Sequence, residues 1–253
     1  MARRKSSSSQ VPYGTNTLVT KSAKRKPAIG KDFLLDIDPM TENQRRFFDS
    51  YSKGKHLVAH GTPGTGKTFI ALYNAIKEIF DEFSEKDTIY IIRSLVQTRS
   101  IGFMPGRSDE KSGYFETPYR NMVKYMFKLS NDADFDMLYD NLKNQKSIKF
   151  YNTSFLRGLT FDNCVIIVEE FSNLNFHELC SIITRVGENC RIVFAGDAAQ
   201  SDLTNVTERM GTVDFMRILQ IMPSFDIIEF GIDDIVRSGL VKEFLIAKET
   251  LNL

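Results

Sequence analysis

Residues 61 to 68 read Gly61-Thr62-Pro63-Gly64-Thr65-Gly66-Lys67-Thr68, the spacing G-x-x-x-x-G-K-[ST]. Glycines at these positions let a backbone fold so tightly that several N–H groups point at one anion. An apolar run, Leu57-Val58-Ala59, precedes the loop, and a helical stretch from Thr68 to Glu82 follows it. Such a helix adds the positive end of its dipole at the same place. Lys67 is then placed to bring a mobile charge to β- and γ-phosphates, and Thr68 a hydroxyl to Mg²⁺. All eight residues are read as contacts for a nucleoside triphosphate.

Two more strand ends converge on that chemistry. Val165-Ile166-Ile167-Val168 is an apolar strand that ends in Glu169-Glu170. In phosphate-loop enzymes such a strand lies beside the one feeding the loop; its acid holds Mg²⁺, and a following Glu polarises the attacking water. Glu169 is the metal candidate, where Asp is usual, and Glu170 the candidate general base. The run Arg191–Ala195 ends in Gly196-Asp197-Ala198-Ala199-Gln200. From there Gln200 is placed to sense a γ-phosphate, and Asp197 to orient water or metal. Upstream, Gln44 in Thr41-Glu42-Asn43-Gln44 carries an amide whose donor and acceptor match the edge of adenine. No N-K-x-D motif is present, which argues against guanine.

These side chains need a scaffold that brings strand ends together. Strand-length apolar runs occur at His56–Ala59, Thr88–Ile92, Ser147–Tyr151, Cys164–Val168, Arg191–Ala195 and Asp226–Phe230. Helical patterns fall at Glu42–Tyr51, with Thr41 as N-cap, and at Thr68–Glu82, Tyr119–Leu129, Asp134–Lys143, Asn175–Val186, Glu208–Gln220 and Val236–Leu251. Alternation of this kind predicts an α/β fold with a mainly parallel sheet flanked by helices. The stretch Leu95–Ser112 lacks periodicity and reads as a long functional loop.

Charge is unevenly placed. The first 31 residues carry eight basic side chains and no acid, while the remainder is net acidic by seven. Residues 1–31 also hold Ser6-Ser7-Ser8-Ser9 and few apolar groups, so they read as a disordered tail ahead of one ATPase domain, 32–253. The tail fits a nucleic-acid-binding arm and a solubilising terminus equally well. No run approaches the roughly 20 apolar residues of a membrane span, and no secretory h-region follows the basic start. Cys164, Cys180 and Cys190 lack C-x-x-C spacing and read as buried reduced thiols in a cytoplasmic protein.

Taken in order, Thr41–Gln44, Gly61–Thr68, Ile101-Gly102-Phe103-Met104-Pro105-Gly106, Phe155-Leu156-Arg157-Gly158-Leu159-Thr160, Val165–Asn173, Gly196–Leu203 and Asp234-Ile235-Val236-Arg237-Ser238 resemble the PhoH family of ATPases, relatives of superfamily 1 helicases. The likeness runs from about Pro39 to Lys248, and the layout is most similar to phage-encoded members. It implies a RecA-like P-loop NTPase core that uses ATP and Mg²⁺, with adenine read near Gln44 and Gln200 as γ-phosphate sensor. Arg237 matches the family's late arginine, a group suited to transition-state charge. Two departures stand out: Glu169-Glu170 replaces Asp-Glu, and Ser172 replaces a Gln.

A helicase of that superfamily closes ATP between two cores, whereas this chain has one phosphate loop. A second copy is therefore expected to complete the site, in a homo-oligomer such as a ring, with Arg237 offered across a heterologous interface. The leading expectation is an ATPase acting on RNA or single-stranded DNA. An ATP-dependent switch or scaffold for a protein partner competes with it. A small-molecule phosphotransferase comes third, for want of an acceptor-pocket signature.

Overall fold

The computed structural model describes residues 31–93, 108–153, 156, 158–197 and 206–251. Six parallel strands form one sheet, β1 (His56–Gly61), β2 (Thr88–Arg93), β3 (Ile148–Asn152), β4 (Cys164–Glu169), β5 (Arg191–Ala195) and β6 (Phe225–Phe230), in the order β3-β2-β4-β5-β1-β6. Because all run the same way, their C-terminal ends share one edge, where ligands bind in open α/β sheets. Ala59, Ala195, Glu169 and Arg93 are register partners along that edge, so sheet pairing alone sets loop, acids and Arg93 side by side.

The core follows from period-two alternation within the strands. Leu57, Ala59, Val165, Ile167 and Val193 face one layer, with α1 (Glu42–Ser52), α2 (Lys67–Phe80), α3 (Ser108–Met126) and α4 (Asp132–Asn144). Val58, Ile166, Val168, Ile192 and Phe194 face the other, with α5 (Phe176–Ile183) and α6 (Val206–Gln220). Covered on both faces, β4 and β5 are buried along their whole length. Each such Val, Leu or Ile contributes about 1.5–3 kcal/mol over the exposed state. A last helix, α7 (Gly239–Thr250), leaves Leu240, Val241 and Phe244 exposed.

Several expectations shift. The strand ending in Glu169-Glu170 does not lie beside the loop strand; β5 stands between β4 and β1. Ser108–Ser112 is helical instead of irregular, because α3 runs through Pro118. Proline removes a backbone donor and normally ends such a helix; here burial of Tyr119, Val123 and Met126 outweighs that loss. Helix α5 starts after Asn175, which forms a capping box with Glu178, and ends at Ile183. Lys31, expected in the tail, sits in a 3-10 turn whose neighbour Leu34 bridges Phe127. Cys164 is buried, but Cys180 and Cys190 are partly exposed; all three are free thiols. Among the described residues no helix is long and apolar enough to cross a membrane. Residues 1–30 of the tail, Gln200, Arg157 and the Ile101–Gly106 motif lie outside the described residues.

Candidate nucleotide site

The loop between β1 and α2 is built by exclusion of side chains. Gly61 has φ 109°, and a Cβ there would stand 2.2 Å from the Phe230 carbonyl oxygen of β6. That closeness lets Thr62 N–H bond the same oxygen at 2.8 Å. Gly64 (φ 77°) and Gly66 (φ 83°) take left-handed backbone that side-chain-bearing residues rarely adopt. A second strap comes from beyond β6, where Val236 N–H bonds Gly64 O at 3.1 Å. Thr65 is fully buried and donates to Thr62 O at 3.1 Å, closing the loop on itself.

Lys67 opens α2 and curls back over the loop. Its Nζ donates to Gly61 O at 2.8 Å, Thr62 O at 2.7 Å and Thr65 Oγ1 at 3.3 Å. Burial pulls the ammonium down to about 8, against the opposing charges of Asp197 and Glu169. Asp197, expected near water or metal, is thus within electrostatic reach of the loop lysine.

Thr68, next in the helix, donates to Glu169 Oε2 at 3.0 Å. The other carboxylate oxygen, Oε1, is buried and has no hydrogen-bond partner among the described residues. Burial lifts the Glu169 carboxyl to about 7, with Glu170 adding to the rise and Thr68, Arg93 and Lys67 opposing it. The Thr68 hydroxyl and the Glu169 carboxylate, one of whose oxygens is orphaned, form a hard-oxygen donor set that fits Mg²⁺. The extra methylene of Glu169 therefore does not carry its carboxylate away from Thr68.

Glu170 follows in left-handed backbone, φ 49° and ψ 44°. Gly196 makes room for it: a Cβ there would lie 3.1 Å from Phe171 N and 3.4 Å from Glu170 Cα. The carboxylate is held by Arg93, whose Nε and second guanidinium nitrogen donate at 3.1 and 2.6 Å to its two oxygens. Tyr119 of α3 lies within electrostatic reach of Arg93, and burial raises its phenol far above the ordinary range, keeping it neutral. Nothing in sequence spacing marks Tyr119; it sits in an apolar helical pattern and reads as core.

Gln44 lies against the loop from beneath. Its amide donates to Thr65 O at 2.9 Å and accepts from Met40 N–H at 2.8 Å, and the residue is buried. These atoms brace the loop instead of presenting a free edge to a base. Alongside, Asp234 accepts from Asn43 at 2.8 Å and from Gly231 N–H at 2.9 Å. Burial pushes that carboxyl up, but the hydrogen bonds from Asn43, Thr41 and Gly231 more than offset it and leave it low. Asn43 and Asp234 together line an open cavity of about 690 Å³ with Met40, Arg46 and Asp233.

The sequence offers Arg237 to a neighbouring copy; within one chain its stem lies against the phosphate loop. A Cβ on Gly64 would meet Arg237 Cγ at 3.1 Å and Leu245 Cδ1 of α7 at 3.0 Å.

The PhoH-like protein family model matches residues 36–249. This chain belongs to the PhoH family. A PhoH-like protein of Mycobacterium leprae is 27% identical over 214 residues, covering 83% of this chain and 57% of the relative. Protein PhoH of Escherichia coli K12 is 28% identical over 206 residues, covering 81% and 56%. The chain thus spans a little over half the length of these curated relatives. Among solved structures, the large terminase of a thermophilic bacteriophage aligns with TM-score 0.52 and 11% identity, over 83% of this chain and 50% of that one. The fold is a RecA-like P-loop NTPase core.

Proposed function

We propose that this PhoH-family chain hydrolyses ATP with Mg²⁺ and couples turnover to RNA or single-stranded DNA. The observation that carries the reading is the 3.0 Å bond from Thr68 to Glu169, which joins the phosphate loop to the acid strand. Backbone N–H groups of Gly64, Thr65 and Gly66 cradle the β-phosphate. Lys67 leaves the carbonyls of Gly61 and Thr62 for the β- and γ-phosphates. Thr68 and Glu169 would hold Mg²⁺, which would supply charge neutralisation to the triphosphate. Glu170 takes a proton from the water that attacks the γ-phosphorus, and Arg237 steadies the developing charge from its own chain. Gln200 is assigned to sensing the γ-phosphate.

Coupling to nucleic acid rests on the family resemblance and on the eight basic residues before residue 32. Self-association into a ring and a cytoplasmic location belong to the same reading. Phosphate release, measured with and without poly(U) or oligo(dT), tests it, with Lys67→Ala as blank. Turnover in wild type, absent in the variant and raised by polynucleotide, is the expected result; binding through the tail should weaken with salt by a log–log slope of about −0.7 per phosphate contacted. Turnover unmoved by either polymer would instead favour an ATP-dependent switch for a protein partner. The exposed Leu240, Val241 and Phe244 of α7, whose Leu245 abuts the loop, support that second reading.

A further inference from the structure

The residue assigned to activate water is already engaged. Both oxygens of Glu170 accept from the guanidinium of Arg93, at 2.6 and 3.1 Å, in the two-pronged geometry that makes an arginine–carboxylate pair specific. A carboxylate so occupied has fewer lone pairs to offer a water proton. The pair is neither accidental nor sealed. Register places Arg93 directly opposite Glu169 on the neighbouring strand. Glu170 sits in a left-handed turn, and the buried Tyr119 lies within electrostatic reach of Arg93 on the other side of the pair. Yet the side chains remain 35% and 47% exposed, so an incoming anion can reach them.

From this geometry we infer that Arg93 is a latch on Glu170, opened by a phosphodiester of a bound polynucleotide. A guanidinium fork matches phosphate as well as it matches carboxylate. A backbone phosphate that takes Arg93 therefore releases Glu170 to the water, and occupancy of the polynucleotide site is converted into turnover. Tyr119 is a positioning residue that keeps the fork aimed at the carboxylate. The inference rests on the ATPase reading above and says how that activity is regulated.

Steady-state hydrolysis of wild type, Arg93→Ala, Arg93→Lys, Tyr119→Phe, Glu170→Gln and the double variant Arg93→Ala/Glu170→Gln, each with and without poly(U) or oligo(dT), tests it. Arg93→Ala should raise the polynucleotide-free kcat several-fold towards the stimulated wild-type value, at unchanged KM for ATP, and abolish further stimulation. Arg93→Lys, one point charge in place of a fork, should fall between, and Tyr119→Phe should release the latch in part. Glu170→Gln and the double variant should be equally slow, by on the order of 100-fold or more, because the latch acts only through that carboxylate. Binding of a fluorescent ATP analogue reports whether each variant has folded, and Arg93→Lys and Tyr119→Phe carry the comparison if Arg93→Ala has not. A lower polynucleotide-free kcat in Arg93→Ala, or a stimulation ratio equal to wild type, overturns the latch while leaving the ATPase reading intact. If wild type is silent with and without polymer, activity uncovered by Arg93→Ala supports the latch, and silence there too overturns latch and ATPase reading together.

Discussion

Thr68 and Glu169 stand 101 positions apart in sequence, yet a 3.0 Å hydrogen bond joins them across the end of the sheet. Thr68 reaches that point because Gly66 turns the chain into α2, and Glu169 because β4 stops in register with β5. The contact fastens only one carboxylate oxygen and leaves the other buried without a partner among the described residues. Neutrality is the less costly state for such a group, so burial raises its affinity for a proton.

That shift makes a stability prediction. The Glu169 carboxyl is raised from 4.5 to about 7, so the folded chain binds this proton more tightly than the unfolded one. The sign follows: its contribution is most favourable below about pH 4.5 and is lost as pH climbs through 7. The full span is on the order of 3 kcal/mol. In metal-free buffer with EDTA, Glu169→Gln should therefore unfold at a higher temperature than wild type at pH 8, with the difference vanishing near pH 4.5. Adding Mg²⁺ and ATP should raise the melting temperature of wild type more than that of the variant. Identical melting curves at pH 8 would contradict a buried ionised carboxylate.

Gly61 offers a steric test. A Cβ there would lie 2.2 Å from Phe230 O, a backbone atom in a paired strand that cannot swing aside. Gly61→Ala must displace β6 or break the Thr62 N–H bond to that same oxygen. The expected cost is about 2–4 kcal/mol, together with loss of nucleotide affinity. Chemical denaturation and nucleotide titration measure both. Gly54→Ala, where nothing lies within 4 Å of the added Cβ but φ is 82°, separates backbone strain from collision.

Much of this arrangement was legible from residue pattern, and what was not has physical causes. Apolar runs bounded by turn residues located all six strands, most cleanly β4 and β5, which are buried along their length, while the edge strands β3 and β6 kept an apolar run beside Lys149, Asp226 and Glu229. The phosphate loop was legible because its glycines answer a backbone need that no other residue meets. Strand order was hidden: which strand lies beside β1 is decided by long-range packing, and β5 took the place expected for β4. The first half of helix α3 was hidden by Pro118, whose local preference is overruled by the buried face that follows it, whereas the half from Tyr119 on was legible as a helix. Tyr119 was invisible because a polar hydroxyl at an apolar helical position has the same spacing as core. Gln44 was found, and what its pattern did not carry is that its amide donates to Thr65 O of the loop.

The Gln44 amide therefore predicts a particular selectivity. If it braces Thr65 O, Gln44→Ala frees the loop and leaves a buried carbonyl unpaired, at a cost of about 1–3 kcal/mol. Affinity should fall by the same factor for ATP and for GTP, and for inorganic tripolyphosphate as well. A loss confined to ATP would return the amide to the adenine edge. Competition titrations with the three ligands decide between them.

The role of Arg237 decides whether one chain can assemble its own site. Val236 N–H holds Gly64 O, and the Arg237 stem rests where a Gly64 side chain would be, so the base of this side chain stands at the loop of the same chain, and the proposed role there needs its guanidinium to turn toward that loop. Arg237→Ala should lower kcat, by up to the roughly 10³–10⁵-fold that an arginine aimed at transition-state charge supplies. Mixing Arg237→Ala with Lys67→Ala distinguishes service to the same chain from service to a neighbour. In the mixture, a loop with intact Lys67 always belongs to a chain without Arg237, and the reverse holds for the other partner. With the arginine acting inside its own chain no mixture regains turnover, at any ratio and even if the chains form a ring. Recovered activity that peaks near equal amounts of the two variants would mean the arginine crosses to the next copy.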